Sequence, residues 1–352
     1  MITPNPLLGT GLHAIGGVSA AACYLPYEKI KRWSWESFWL VQAFFAWLIV
    51  PIVVGYFTVP DLFEVFREAP PSAIYIPILL GALYGFGGMS FGFAIRHIGY
   101  SLTYTISIGI SAIVGTMVPL FLNGTLIEQF TRPGGKVFFL GMIISMLGII
   151  ISGSAGYRKE KDIQKTGKGS FHFNMGKGLS LTIFAGILSG IFGVALFLAE
   201  PVADLAAING AGHFQANSAQ ILPSIGCFVT NIIWFTVISI KRGTIKELNP
   251  RGQKRSVYTK NMLFSMLGGS LWYIQFLFLG MADVRMGRFE FAGWGIHMSM
   301  LIFFSFVVGL IMKEWKMASK RTFRTLLLAL FILLISFAVM TYGSMIGEGM
   351  VG

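Results

Sequence analysis

The sequence predicts an all-α integral membrane protein whose ten transmembrane helices form two inverted five-helix repeats. Three observations lead there. Hydrophobic residues make up 55% of the 352-residue chain and charged residues only 12%, where a water-soluble domain carries about 25% charge. The apolar residues gather into ten long runs. Those runs divide five and five around one polar stretch.

A helix rises about 1.5 Å per residue, so roughly 20 apolar residues cross a hydrocarbon core about 30 Å thick. Runs of about that length lie at Leu7–Tyr27, Phe38–Val59, Ala73–Ile95, Leu102–Leu122, Val137–Gly153, Gly178–Ala199, Asn217–Ile240, Met262–Ala282, Ala292–Met312 and Thr325–Ile346. Many of the 43 glycines fall inside them. In lipid, small residues let helix backbones approach closely, and Gly81/Gly85, Gly88/Gly92 and Gly186/Gly190 have the required spacing. A β-barrel is excluded, because ten-residue alternating segments are missing.

The net charge of +12 would suit nucleic acid, but its distribution has a simpler cause. Of 27 Lys and Arg residues, 22 lie in the loops after the odd-numbered runs and 5 in the other loops. By the positive-inside rule the basic loops face the cytoplasm, so both termini face outward. The expected partner is the lipid bilayer, with no nucleic acid and no obligate protein partner implied. No Lys or Arg precedes Leu7, so the first run is expected to be a retained helix and not a cleaved signal peptide. Cys23 and Cys227 both lie within runs and read as small core residues.

The stretch Tyr157–Gly176 is rich in Lys and Gly and reads as a cytoplasmic linker. It separates a first repeat, 1–156, from a second, 177–352. Shifting the chain by 188 residues places Gly81, Leu83, Tyr84, Gly92, Ala94 and Gly99 on Gly269, Leu271, Trp272, Gly280, Ala282 and Gly287. That match sets the third helix on the eighth and favours an internal duplication. With five helices per copy, the second copy must start on the opposite side of the membrane. Inverted repeats of this kind recur in secondary transporters, with the substrate site between the halves.

No HExxH, P-loop or Gly-x-Ser-x-Gly motif occurs, so neither an enzyme nor a cofactor is expected. Transport would be driven by a proton or ion gradient, or by the solute's own gradient. Polar side chains are costly in lipid, so they face a cavity or one another. Trp272 and Gln275 stand one turn apart in the eighth run, and Trp294 and His297 in the ninth. In each pair an aromatic face sits beside a hydrogen-bonding group, which suits a sugar. Bundle packing or an interfacial aromatic belt is the alternative for both tryptophans.

His13 and His297 lie about six residues, and Gln275 about seven, from the outer ends of their helices. All three would then sit roughly 10 Å below the outer surface. His13 and Asn231 complete the candidate substrate-binding set. Gln42, Ser90, Tyr104, Ser107, Asn217, Gln220 and Ser224 form a second tier in which most hydroxyls would satisfy their own helix. A proton-coupled carrier needs a group that titrates near neutral pH. The candidates are His297, His13, Asp283 and Glu290. The alternative for the carboxylates is pairing with Arg285 and Arg288 in a solvated loop.

These residues also fall within a broader likeness. The stretch His13-Ala-Ile-Gly-Gly-Val-Ser-Ala-Ala-Ala-Cys-Tyr-Leu-Pro-Tyr27, followed by Lys29-Ile-Lys-Arg-Trp-Ser-Trp-Glu36, resembles the opening of the L-rhamnose–proton symporter family. Ile113-Val-Gly-Thr116, Asn123-Gly124, Leu267-Gly-Gly269, Trp272-Tyr-Ile-Gln-Phe276, Trp294-Gly-Ile-His-Met-Ser299 and Lys313-Glu-Trp315 extend it to the ninth helix. The resemblance implies a ten-helix carrier of the drug/metabolite transporter superfamily in a bacterial inner membrane. It also implies uptake of L-rhamnose or a related 6-deoxy sugar with protons. The sequence departs from the family's pattern at Asp283, where a His is expected, at Glu200 beside Pro201, and across Asn209–Gln220. The alternatives are another sugar permease or exporter on the same frame, and a membrane sugar sensor.

Overall fold

The computed structural model describes residues 2–165 and 174–351. Among them all regular structure is helical, and ten helices are long and apolar enough to cross a membrane. They are α1 Pro6–Lys29, α2 Trp35–Thr58, α3 Pro71–Ile98, α4 Leu102–Leu122, α5 Gly135–Lys165, α6 Met175–Ile208, α7 Gly212–Lys241, α8 Arg255–Asp283, α9 Gly287–Ile311 and α10 Lys320–Gly347. Each matches one predicted run.

The largest displacement is at the end of α5, which continues from the predicted Gly153 to Lys165. Residues 166–173 of the predicted linker lie outside the described residues. Charge made this extension read as loop, yet the charges have partners. Lys159 Nζ is 3.3 Å from Glu314 Oε2 and lies over the Trp315 ring. Asp162 Oδ2 accepts from the Ser319 amide at 2.9 Å and from Thr322 Oγ1 at 2.7 Å. It thereby satisfies the Ser319 N–H, one of the backbone donors at the start of α10 that the helix itself leaves open.

The chain divides into two compact units, and neither coincides with a sequence half. One comprises residues 1–18, 87–194 and 281–352, the other residues 19–86 and 195–280.

In the first unit α5 and α10 meet along a seven-residue repeat. A Cβ on Gly141 would strike Met340, and one on Gly148 would strike Leu333. Gly134 likewise abuts the backbone of Gly343 and Gly347. Gly141 and Gly148 thus face the larger Met340 and Leu333, and Gly134 faces two further glycines, so the backbones approach closely. Gly186 and Gly190 of α6 make similar close approaches, to Ile110 and Val114 of α4. The predicted Gly88/Gly92 contact is not made among the described residues, where an added Cβ at either position meets nothing within 4 Å. Spacing alone does not say whether a neighbouring helix passes that face. Gly87 is the close-contact glycine here, against Leu188.

Two crossings organise the second unit. At the first, Gly81 of α3 lies on the backbone of Pro223 in α7, Gly226 of α7 lies on the Ile78 carbonyl, and Thr230 Oγ1 donates to the Ala82 carbonyl at 2.9 Å. At the second, Gly268 and Gly269 of α8 meet α2 at Gln42, Phe45 and Ala46. Beside that contact α2 opens into a π-turn, Phe45–Ile49. The cause is Pro51. It has no N–H to offer the Trp47 carbonyl four residues back, and its ring would clash there. The Val50 N–H instead reaches the Phe45 carbonyl, five residues back.

Candidate functional site

In the first unit α1, the end of α8 and α9 bring three titratable side chains together. His13 Nε2 lies 3.6 Å from Asp283 Oδ1. The His13 and His297 rings meet edge-on, with centroids 5.9 Å apart at 61°. Both imidazoles are fully buried, whereas the Asp283 side chain keeps 25% exposure. Glu290 sits on the short 3-10 turn Gly287–Ala292 and is exposed.

Glycine makes this approach possible. Gly9 and Gly17 stand one turn before and one turn after His13, on the same face of α1. An added Cβ at Gly9 would meet Met286 Sδ at 2.8 Å and the Ala282 carbonyl at 3.1 Å. At Gly17 it would meet Met300 and Phe304 at 3.1 Å. On α9, Gly293 lies one turn before His297, and a Cβ there would run into the Asp283 carboxylate. The Asn5 N–H donates to the Arg285 carbonyl at 2.8 Å, tying the start of the chain to the end of α8. The Arg285 guanidinium donates to the Thr3 carbonyl, so the loop pairing weighed for Asp283 gives way to the histidine.

Chemically the arrangement can take up one proton. Neither ring nitrogen of His13 has a hydrogen-bond partner among the described residues, nor does Asp283 Oδ1. An unneutralised charge out of water costs several kcal/mol. With both imidazoles neutral and Asp283 ionised the cluster carries one negative charge, and one bound proton cancels it.

Trp294 shares α9 with His297, but its ring lies elsewhere. The indole N–H donates to the Ser111 carbonyl of α4 at 3.0 Å. The ring is wedged over Gly115 and Gly193, where added Cβ atoms would collide with it, and it stacks on Phe192 at 6.1 Å. Its polar edge therefore orders the bundle.

The second unit holds Trp272, Gln275 and Asn231. Trp272 packs edge-on against Trp47 with centroids 4.9 Å apart, and lies 4.8 Å from the ring of Phe276. Gln275 Nε2 donates to the Trp272 carbonyl at 2.8 Å, and the side chain is buried. Asn231 accepts from Trp39 Nε1 at 3.1 Å and donates to the Cys227 carbonyl at 2.9 Å. Both ends of its amide are thus engaged. Gln275, predicted at one depth with the two histidines, belongs to this second unit.

Residues 4–348 match the family described as L-rhamnose-proton symport protein. The chain belongs to that family. Among its members, the L-rhamnose-proton symporter of Klebsiella pneumoniae is 31% identical over 340 residues, covering 96% of this chain and 97% of the relative. The L-rhamnose-proton symporter of Yersinia pestis is 30% identical over 342 residues, covering 96% and 98%. The family is one of transporters and not of enzymes, and this member is a multi-pass membrane protein.

Within this family member, reading residue by residue missed two features. One is the series Gly9-x-x-x-His13-x-x-x-Gly17, a polar residue flanked on one helical face by two sites of close approach. The spacing was visible, but nothing in the sequence says which glycines meet a neighbour. The other is Trp47, buried at 3% exposure with its Nε1 unpaired among the described residues. It looked like any aromatic in an apolar run.

Proposed function

We propose that this chain takes up L-rhamnose or a related 6-deoxy sugar together with protons. It would do so as a ten-helix secondary carrier of the drug/metabolite transporter superfamily in a bacterial inner membrane, with both termini in the periplasm. The observation that carries the reading is the buried His13–Asp283–His297 cluster in a chain that matches a proton symporter family over nearly its whole length.

The cluster supplies a proton site, with Asp283 reached first because it alone is partly exposed. A proton taken there removes the net charge. That lowers the cost of enclosing the site in a low dielectric. Trp272 offers a ring face to the apolar side of a deoxy sugar, and Gln275 an amide to its hydroxyls. Asn231 and Trp294, whose polar atoms are engaged within the protein, act by positioning Trp39 and α4. The repeat reading has support in packing. Gly81 of α3 meets α7, and its counterpart under the shift, Gly269 of α8, meets α2. Under the duplication α7 is in turn the counterpart of α2.

The test is uptake of labelled L-rhamnose by liposomes containing the purified protein, with and without an imposed inward proton gradient. Accumulation that requires the gradient and is blocked by unlabelled rhamnose is expected. Uptake indifferent to the gradient would leave a facilitator, and no uptake would point to another solute or to a sensor.

A further inference from the structure

The side of α8 that carries Gly268 and Trp272, one turn apart, is met by two polar groups of α2. Trp47 packs edge-on against Trp272. One turn earlier on α8, a Cβ built on Gly268 would lie 3.6 Å from Gln42 Oε1. Trp47 and Gln42 keep only 3% and 2% of their surface exposed. Even so, the Trp47 Nε1–H and the Gln42 Oε1 have no hydrogen-bond partner among the described residues. Buried polar atoms in native proteins are nearly always paired, so a donor and an acceptor left open against one helix need a reason. Trp47 also lies at the middle of the Phe45–Ile49 π-turn, a backbone irregularity that concentrates at functional sites.

We infer that Trp47 and Gln42 are sugar-contacting residues that complete the Trp272 subsite, the indole N–H donating to a substrate hydroxyl and the Gln42 carbonyl oxygen accepting from one. The pair selects its ligand by chemistry. A cation would find an N–H pointed at it, and an anion would find a carbonyl oxygen. An acyl chain would leave both unpaired. A neutral polyol satisfies both, because each hydroxyl donates and accepts. Trp272 meanwhile supplies the aromatic face against which the carbon side of a sugar packs. Pro51 serves the site indirectly, since its missing N–H opens the π-turn in which Trp47 sits.

This inference rests on the sugar-transport reading, and one pair of measurements separates the two. Trp47→Phe keeps an aromatic ring and removes the N–H together with the five-membered half of the indole. Gln42→Leu keeps the bulk and removes the acceptor. Both variants and the wild type are reconstituted, and two quantities are read: the L-rhamnose concentration for half-maximal uptake, and the thermal unfolding temperature without sugar. If the two groups bind sugar, each substitution raises the half-maximal concentration about tenfold, the loss of one hydrogen bond to a buried partner. The sugar-free unfolding temperature of Gln42→Leu stays the same or rises, because an unpaired buried polar atom is gone, and that of Trp47→Phe falls only by the cost of the smaller ring. Unchanged half-maximal concentrations in both variants, with normal wild-type uptake, would overturn the inference alone. A wild type that neither transports L-rhamnose nor is stabilised by it would overturn the transport reading and this inference with it.

Discussion

Nε2 of His13, near the beginning of the chain, lies 3.6 Å from Oδ1 of Asp283, 270 residues later. The distance is slightly long for a hydrogen bond and short enough for the two groups to share a proton's charge. One partner is enclosed and the other partly exposed. The pair therefore has one partly exposed end, Asp283, and one buried end, where His13 meets the ring of His297.

His297 tests the inner end of that chain. Replacing it with Ala should abolish proton-driven accumulation of rhamnose, or leave only equilibration of the sugar across the membrane. Accumulation assays in reconstituted vesicles read this directly. Wild-type accumulation by the variant would remove His297 from the mechanism.

Gly293 tests the packing that holds Asp283. A methyl group there runs into the carboxylate, and overpacking of this kind costs about 1–3 kcal/mol. Gly293→Ala should lower both the unfolding temperature and the rate of uptake. Gly88→Ala is the matched control, because an added Cβ at Gly88 meets nothing; helix propensity alone should make it neutral or up to about 1 kcal/mol more stable. Equal behaviour of the two variants would contradict the packing account.

Orientation is tested by reporter fusions at Lys165 and Gly349. The excess of Lys and Arg in loops after odd-numbered helices predicts cytoplasm for the first and periplasm for the second. The opposite result would invert the site and place Asp283 on the inner face.

Much of the fold was legible because lipid leaves few choices. A spanning segment must be apolar and long enough, and all ten were. What stayed hidden depended on which residue meets which. Gly81/Gly85, Gly88/Gly92 and Gly186/Gly190 share one pattern, yet among the described residues only the first and third have a helix against them. Lys159 and Asp162 looked like linker until their partners Glu314, Ser319 and Thr322 were in view. Trp294 and Trp272 looked equivalent, each a turn before a polar residue. The structure gives the N–H of Trp294 to Ser111 and sets Trp272 against Trp47. Asp283 is the instructive case. In sequence it sits near Arg285, and in space its carboxylate meets an imidazole, His13, that comes from α1.

The His13–Asp283–His297 cluster is the proposed carrier of the proton that moves with the sugar. The most direct measurement is the external pH of lightly buffered vesicles when L-rhamnose is added. Wild-type protein should draw protons in with the sugar and turn the medium alkaline. Asp283→Asn, which keeps the shape and removes the charge, should still equilibrate labelled rhamnose while the pH trace stays flat. An alkaline shift of wild-type size in that variant would contradict the claim.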